Sequence, residues 1–195
     1  MAPVYKLSAS SIKGRTYYGG MLAGNTAYEP PGDYESIATT TLATATASIT
    51  FSSIPQTYSH LQLRYIARND TANYFVRIRF NGSTTATDYA YHVLNGTGSA
   101  VTVGYENDGM YAPRQSSASN TFGAGVVDIL DYTSTNKYKT IRGLGGRDAN
   151  GSGDVDFLSG FYKANTNAIT SIEITVAAGN YTQYTQFALY GIRSA

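Results

Sequence analysis

Cysteine and tryptophan are absent from this 195-residue chain, and charge is sparse: 14% of residues are charged and the net charge is +1. Without cysteine there is neither a disulfide framework nor a thiolate metal site. None is needed for stability, since a chain of this length buries roughly 70% of its unfolded surface. The low, balanced charge excludes strong electrostatic attraction to nucleic acid or acidic lipid. No apolar run approaches the length of a membrane helix. Residues 1–10 carry Lys6 but no apolar signal-peptide core, so the expectation is synthesis in the cytoplasm without signal-directed export. The missing tryptophans also weigh against a glycan-cleaving groove.

What the chain has instead is 18 tyrosines, 20 glycines and long Thr/Ser/Ala stretches. Tyrosine and threonine suit pleated, half-buried surfaces, and glycine marks turns. Residues 1–33 show neither helical nor strand period and end in Pro30-Pro31-Gly32, which disfavours continuous structure. They read as an extended arm that packs on a neighbouring subunit. From Tyr34 onward, strand candidates fall near 34–40, 45–52, 60–69, 74–81, 88–94, 100–106, 122–132, 138–145, 155–163, 169–177 and 184–193. In the third, Leu61, Leu63, Tyr65 and Ala67 share one face and His60, Gln62, Arg64 and Arg68 the other. Pro55 must break the ladder between Phe51 and Tyr58. Tyr74, Val76, Ile78 and Phe80 alternate with Arg77 and Arg79, and Asn81-Gly82 supplies a type I′ turn signal that Asn95-Gly96 and Asn150-Gly151 repeat.

The expected fold is therefore all-β: an antiparallel, jelly-roll-like β-sandwich over 34–195 with an extended N-terminal arm over 1–33. An immunoglobulin-like sandwich is second, because it usually needs fewer strands. No repeat of fixed period points to a propeller or β-helix.

Candidate chemistry is thin. His60 and His92 are potential general bases, but neither adjoins a nucleophile motif, and both read as surface or ladder-edge histidines. Asp154 and Asp156 share a strand face at a spacing a glycosidase could use, and Asp128/Asp131 form a second pair. In Asp148-Ala-Asn150-Gly-Ser152-Gly-Asp154-Val-Asp156, oxygen ligands imitate the start of an EF-hand loop, making Asp148, Asn150, Asp154 and Asp156 calcium candidates. Ser159 stands where that loop needs glutamate, so a hairpin turn is the preferred reading. Gly143-Leu-Gly145-Gly146 lacks the ending of a phosphate loop and reads as a bulge or bend. Arg64, Arg68, Arg77 and Arg79 would form a basic stripe for an acidic partner if their strands pair; solvated edge protection is the other reading. No cofactor is expected.

Several stretches carry a family resemblance. Tyr34-Glu-Ser-Ile-Ala, then Ser48-Ile-Thr-Phe-Ser-Ser-Ile54-Pro55-x-x-Tyr58-x-His60-Leu-Gln-Leu-Arg64, resembles small structural proteins of tailed bacteriophages, notably cyanophages. Asp131-Tyr-x-Ser-x-x-Lys137-x-Lys139-Thr-x-Arg142-Gly-x-Gly-Gly146 fits the same group, as do Gly20-Met-Leu-Ala-Gly-Asn25 and the closing Gln186-Phe-Ala-Leu-Tyr-Gly-Ile192-Arg193. The resemblance implies a non-enzymatic virion protein, a β-sandwich that assembles into a homo-oligomer, a trimer in preference to a dimer. It implies a place on the virion assembled in the host cytoplasm, with the major capsid protein as partner and no nucleic acid or membrane. As a head decoration or cement protein it would use Tyr17, Tyr18, Met21, Leu22 and Tyr28 as apolar anchors of the arm. The alternative is a tail-fibre or receptor-binding domain whose exposed tyrosines stack on host glycans.

Overall fold

The described residues form twelve antiparallel strands, β1 (Tyr34–Thr41), β2 (Ser48–Phe51), β3 (His60–Ala67), β4 (Phe75–Phe80), β5 (Tyr89–Gly96), β6 (Val101–Glu106), β7 (Met110–Arg114), β8 (Gly123–Leu130), β9 (Lys139–Asp148), β10 (Gly153–Tyr162), β11 (Ile172–Thr175) and β12 (Gln186–Ile192). The structure is a computed structural model and describes residues 33–71, 75–106, 110–148 and 151–193. The strands form two sheets, β1-β12-β3-β8-β9-β10-β5-β6 and β2-β11-β4-β7. This is a β-sandwich with one sheet twice as wide as the other. One compact unit begins at Tyr34 and runs to Ala195. The arm expected over residues 1–33, with Tyr17, Tyr18, Met21, Leu22 and Tyr28, lies outside the described residues but for Asp33.

Alternation builds the core. Leu61, Leu63, Tyr65 and Ala67 of β3, Val76, Ile78 and Phe80 of β4, and Ile172 and Ile174 of β11 are all buried, as period two requires of strands with one face against the opposite sheet. The chain crosses between sheets at Pro55: β2 lies in the narrow sheet and β3 in the wide one. With no tryptophan available, tyrosine fills the largest core sites, and each hydroxyl finds a partner. Tyr65 donates to the Pro113 carbonyl at 2.6 Å and Tyr181 to that of Thr175 at 2.8 Å. Tyr132 donates to the Pro55 carbonyl, and Tyr89 accepts the Phe80 N–H at 3.0 Å. Much of the tyrosine content is thus core rather than contact surface. Tyr65→Phe leaves the Pro113 carbonyl unpaired in the interior, and a loss of about 1–2 kcal/mol is expected in urea-denaturation midpoints.

Some local expectations need correction. The Arg64/Arg68 and Arg77/Arg79 stripe does not form, because β3 pairs with β12 and β8 while β4 pairs with β11 and β7 in the other sheet. Gly143, Gly145 and Gly146 are neither bulge nor bend; they sit in unbroken register between β8 and β10. Asn81 and Gly82 do adopt positive φ, at 50° and 73°, yet the turn leads across to the wide sheet rather than into a hairpin. Asn95-Gly96 is not a turn at all: both residues belong to β5, and the turn follows at Gly98, φ 86°. One strand, β7, is absent from the sequence reading. Its Pro113 argues against a strand, and β7 is an outer strand, where proline is tolerated.

Candidate functional site

Glu35, Tyr58, His60, Asp131, Lys137, Lys139 and Arg193 form a set of side-chain contacts at the ends of neighbouring strands. Tyr58 donates to Glu35 at 2.7 Å, and Arg193 reaches the same carboxylate oxygen at 3.1 Å. Both partners hold the Glu35 carboxyl below its ordinary range, the Tyr58 hydrogen bond most, and Glu35 in turn raises the Tyr58 hydroxyl. Gly191 leaves room for the Tyr58 ring, which a Cβ there would meet at 2.3 Å. His60 Nδ1 accepts the Asp131 backbone N–H at 2.9 Å, and Lys137 lies 2.5 Å from the Asp131 carboxylate. The Lys137 hydrogen bond lowers the Asp131 carboxyl. Lys139, fully buried, donates to the carbonyls of Ser134, Lys137 and Thr166, and burial lowers its ammonium pKa. These groups tie the ends of β1, β3, β8, β9 and β12 together. His92, the other histidine, is exposed and packs its ring 4.9 Å from that of Tyr105.

The acidic loop is placed differently from a cation cradle. Asp154 and Asp156 do share the inner face of β10, but each already faces a guanidinium. Arg147 Nη2 lies 2.8 Å from Asp154. Asp156, fully buried, accepts the Arg114 backbone N–H, the Arg114 Nη1 and the Asn95 amide, each at 2.9 Å. Burial raises the Asp156 carboxyl, while the Arg114 and Asn95 contacts work against that rise. Asp148 Oδ1 accepts the Gly151 N–H at 3.4 Å across the β9–β10 turn; Asn150 lies outside the described residues. Among the described residues no three His, Asp or Glu side chains are grouped to hold a metal ion.

The four arginines are engaged separately. Arg64 lies over the rings of Tyr34 and Tyr190, at 5.2 and 5.0 Å. Arg68 donates to Thr182 Oγ1 at 3.1 Å, Arg77 to the Tyr111 hydroxyl at 2.9 Å, and Arg79 to Glu173 at 3.3 Å.

A feature the sequence reading did not anticipate covers the outer face of the wide sheet. Eight large apolar side chains stand exposed there: Ile66 50%, Leu94 46%, Val101 70%, Val103 80%, Val126 39%, Leu144 54%, Val155 58% and Phe157 50%. Strand register lines them up in two rows. One runs Val103, Leu94, Phe157, Leu144, Val126 and ends at Arg64. The other runs Val101, Gly96, Val155, Gly146, Ala124, Ile66. The side chains are most exposed on β6, at Val101 and Val103. Towards β12 the face sinks into an open trough of about 580 Å³, floored by Ala124, Gly145, Gly146 and Ala188 and walled by Leu144 and Tyr190. A third row, through His92, Ser159, Arg142, Asp128 and Gln62, is polar.

The fold and this face define a class: an all-β sandwich whose titratable clusters are built into its frame and whose wide sheet, among the described residues, has an exposed apolar outer face. No protein-family model, no curated protein and no solved structure matches the chain.

Proposed function

We propose that the chain is a non-enzymatic structural protein of a tailed-bacteriophage particle, a head decoration or cement protein whose sandwich sits on the capsid and whose first 33 residues grip the capsid subunits. The observation that carries this reading is the strand order. With β5–β6 and β9–β10 set aside as insertions, the remaining strands run β1-β12-β3-β8 in one sheet and β2-β11-β4-β7 in the other. That interleaving is the order of a jelly roll's two Greek keys, an architecture that recurs in viral capsid and lectin domains. Fold alone does not assign a function. The resemblance to phage structural proteins fits this reading, because Glu35, Tyr58, Asp131 and Arg193, which lie in the motifs that carry it, serve as staples between strands rather than as reacting groups.

Purified full-length protein mixed with capsids that lack it should bind them saturably, and deletion of residues 1–33 should abolish that binding while the sandwich keeps its melting temperature. Binding to host cells alone overturns the cement reading and supports a receptor-binding domain. Capsid binding that survives the deletion removes the role given to the N-terminal segment.

A further inference from the structure

We infer that the outer face of the wide sheet is a self-association surface: a second copy of this chain packs on it about a two-fold axis, seating the β6 valines of each copy in the trough of the other. This inference stands on geometry alone and does not depend on a place on a virus particle.

The extent of the face is the first observation. Eight large side chains, each about half exposed, leave on the order of 700 Å² of surface in contact with water. That exceeds the roughly 300–600 Å² of the largest apolar patch on a typical monomer and approaches the about 800 Å² that each partner gives to a standard interface. Its anatomy is that of an interface too, with two apolar rows bordered by the polar row of Arg142, Asp128 and Gln62.

The second observation decides the occupant. The two most exposed side chains, Val101 and Val103, lie on β6, and the trough lies across β9 from them, lined by Ala124, Gln186, Ala188 and Tyr190 together with Ile66, Val126 and Leu144. A two-fold rotation about an axis parallel to β9 reverses the strand order. It therefore lays β10 of one copy over β8 of the other, β5 over β3 and β6 over β12. The valines of each β6 meet the other copy's trough, and the contact is made twice, as an isologous pair requires. A three-fold ring needs its two complementary patches on different sides of the molecule, whereas both lie on one face here, so this face builds a pair rather than the trimer expected from the resemblance.

The third observation concerns the sheet edges. β1 breaks its ladder between Ser36 and Ala38, the β4–β7 ladder shifts between Phe75 and Val76 beside Pro113, and β2 is only four residues long. Such features blunt edges against unwanted pairing. β6 has none of them through Val101–Tyr105, and its valines are the most exposed large aliphatic side chains on the face. Among the described residues no strand pairs with the outer edge of β6, and its two valines are the side chains that enter the partner's trough.

The test uses the full chain in sedimentation velocity at micromolar concentration. Wild type should sediment as a dimer, and Val103→Glu and Leu144→Glu should each give a monomer with unchanged circular dichroism. A monomeric or trimeric wild type overturns the proposal. Should the charged variants fail to fold, single-cysteine proteins read out the pairing. Leu94→Cys mixed with Arg64→Cys, which the two-fold places opposite each other in one row, should form a disulfide-linked heterodimer on oxidation, in at least several-fold excess over links formed by either protein alone. Equal yields in all three samples also overturn it.

Discussion

Replacing Asp156 by alanine is expected to lower the unfolding free energy by about 3–5 kcal/mol. The carboxylate comes from β10 of the wide sheet, and two of its three donors come from Arg114 on β7 of the narrow one. The Asn95 amide supplies the third. Arg114 is committed to this geometry, since its side chain is only 25% exposed and its guanidinium lies 4.3 Å from the centre of the Phe75 ring. Truncation therefore strands a cation, a backbone N–H and an amide in the interior, besides opening a void. The cost measures the abandoned partners rather than the net worth of the pair, because desolvating two charges consumes most of their attraction. Asp156→Leu combined with Arg114→Met should consequently be milder than Asp156→Ala alone. Urea titrations followed by tyrosine fluorescence measure both. A loss below about 1 kcal/mol for the single variant would mean that water reaches the guanidinium.

Gly145→Ala should cost about 3 kcal/mol, at the upper end of what overpacking usually costs. A Cβ at Gly145 would lie 2.4 Å from the Ala124 carbonyl oxygen, 2.6 Å from Pro113 Cβ and 2.9 Å from Gly125 Cα. Two of those atoms are backbone of the neighbouring strand, so no rotamer change relieves the clash. The third belongs to β7, which would have to lift off β9 and thereby stretch the Arg114–Asp156 contact. Gly96→Ala is the control. Nothing lies within 4 Å of that position and its φ is not positive, so its melting temperature should stay within a degree or two of wild type.

These two substitutions probe one place, where the sandwich is pinched. Packed sheets ordinarily stand about 10 Å apart. Here Pro113 of β7 rests on Gly143 and Gly145 of β9, close enough for a backbone N–H of one sheet to bond an aspartate of the other. Both details were hidden in the sequence. Glycines at alternate positions read as a bend, since their spacing is the same whether the missing side chains make room for a turn or for a proline from another strand. Pro113 argued against the strand it occupies.

Legibility tracked period. Strands with one polar face, such as β3 and β4, were readable with their inward residues, because alternation states which face is buried. The outer rows were not. In Gly125-Val126-Val127-Asp128 or Val155-Asp156-Phe157-Leu158 the apolar residues fall on both faces, and that near-continuity is the sign of a strand covered on both sides. The basic stripe failed for a different reason. Whether two strands adjacent in sequence pair or part company depends on the crossing at the loop between them, and residues 68–74 carry no mark of it.

The strand order also has a kinetic consequence. β1 and β12 are neighbours, and the Glu35–Arg193 contact joins positions 158 residues apart. Pairing across such a separation is slow, because a large loop must close before any contact repays it. On the ribosome, β3 has one of its two partners only after β12 emerges, so until then the middle of the wide sheet presents open edges on both sides of the gap. Completion of this sandwich waits for β12, and a nascent chain halted before Gln186 is an aggregation-prone intermediate rather than a smaller version of the fold.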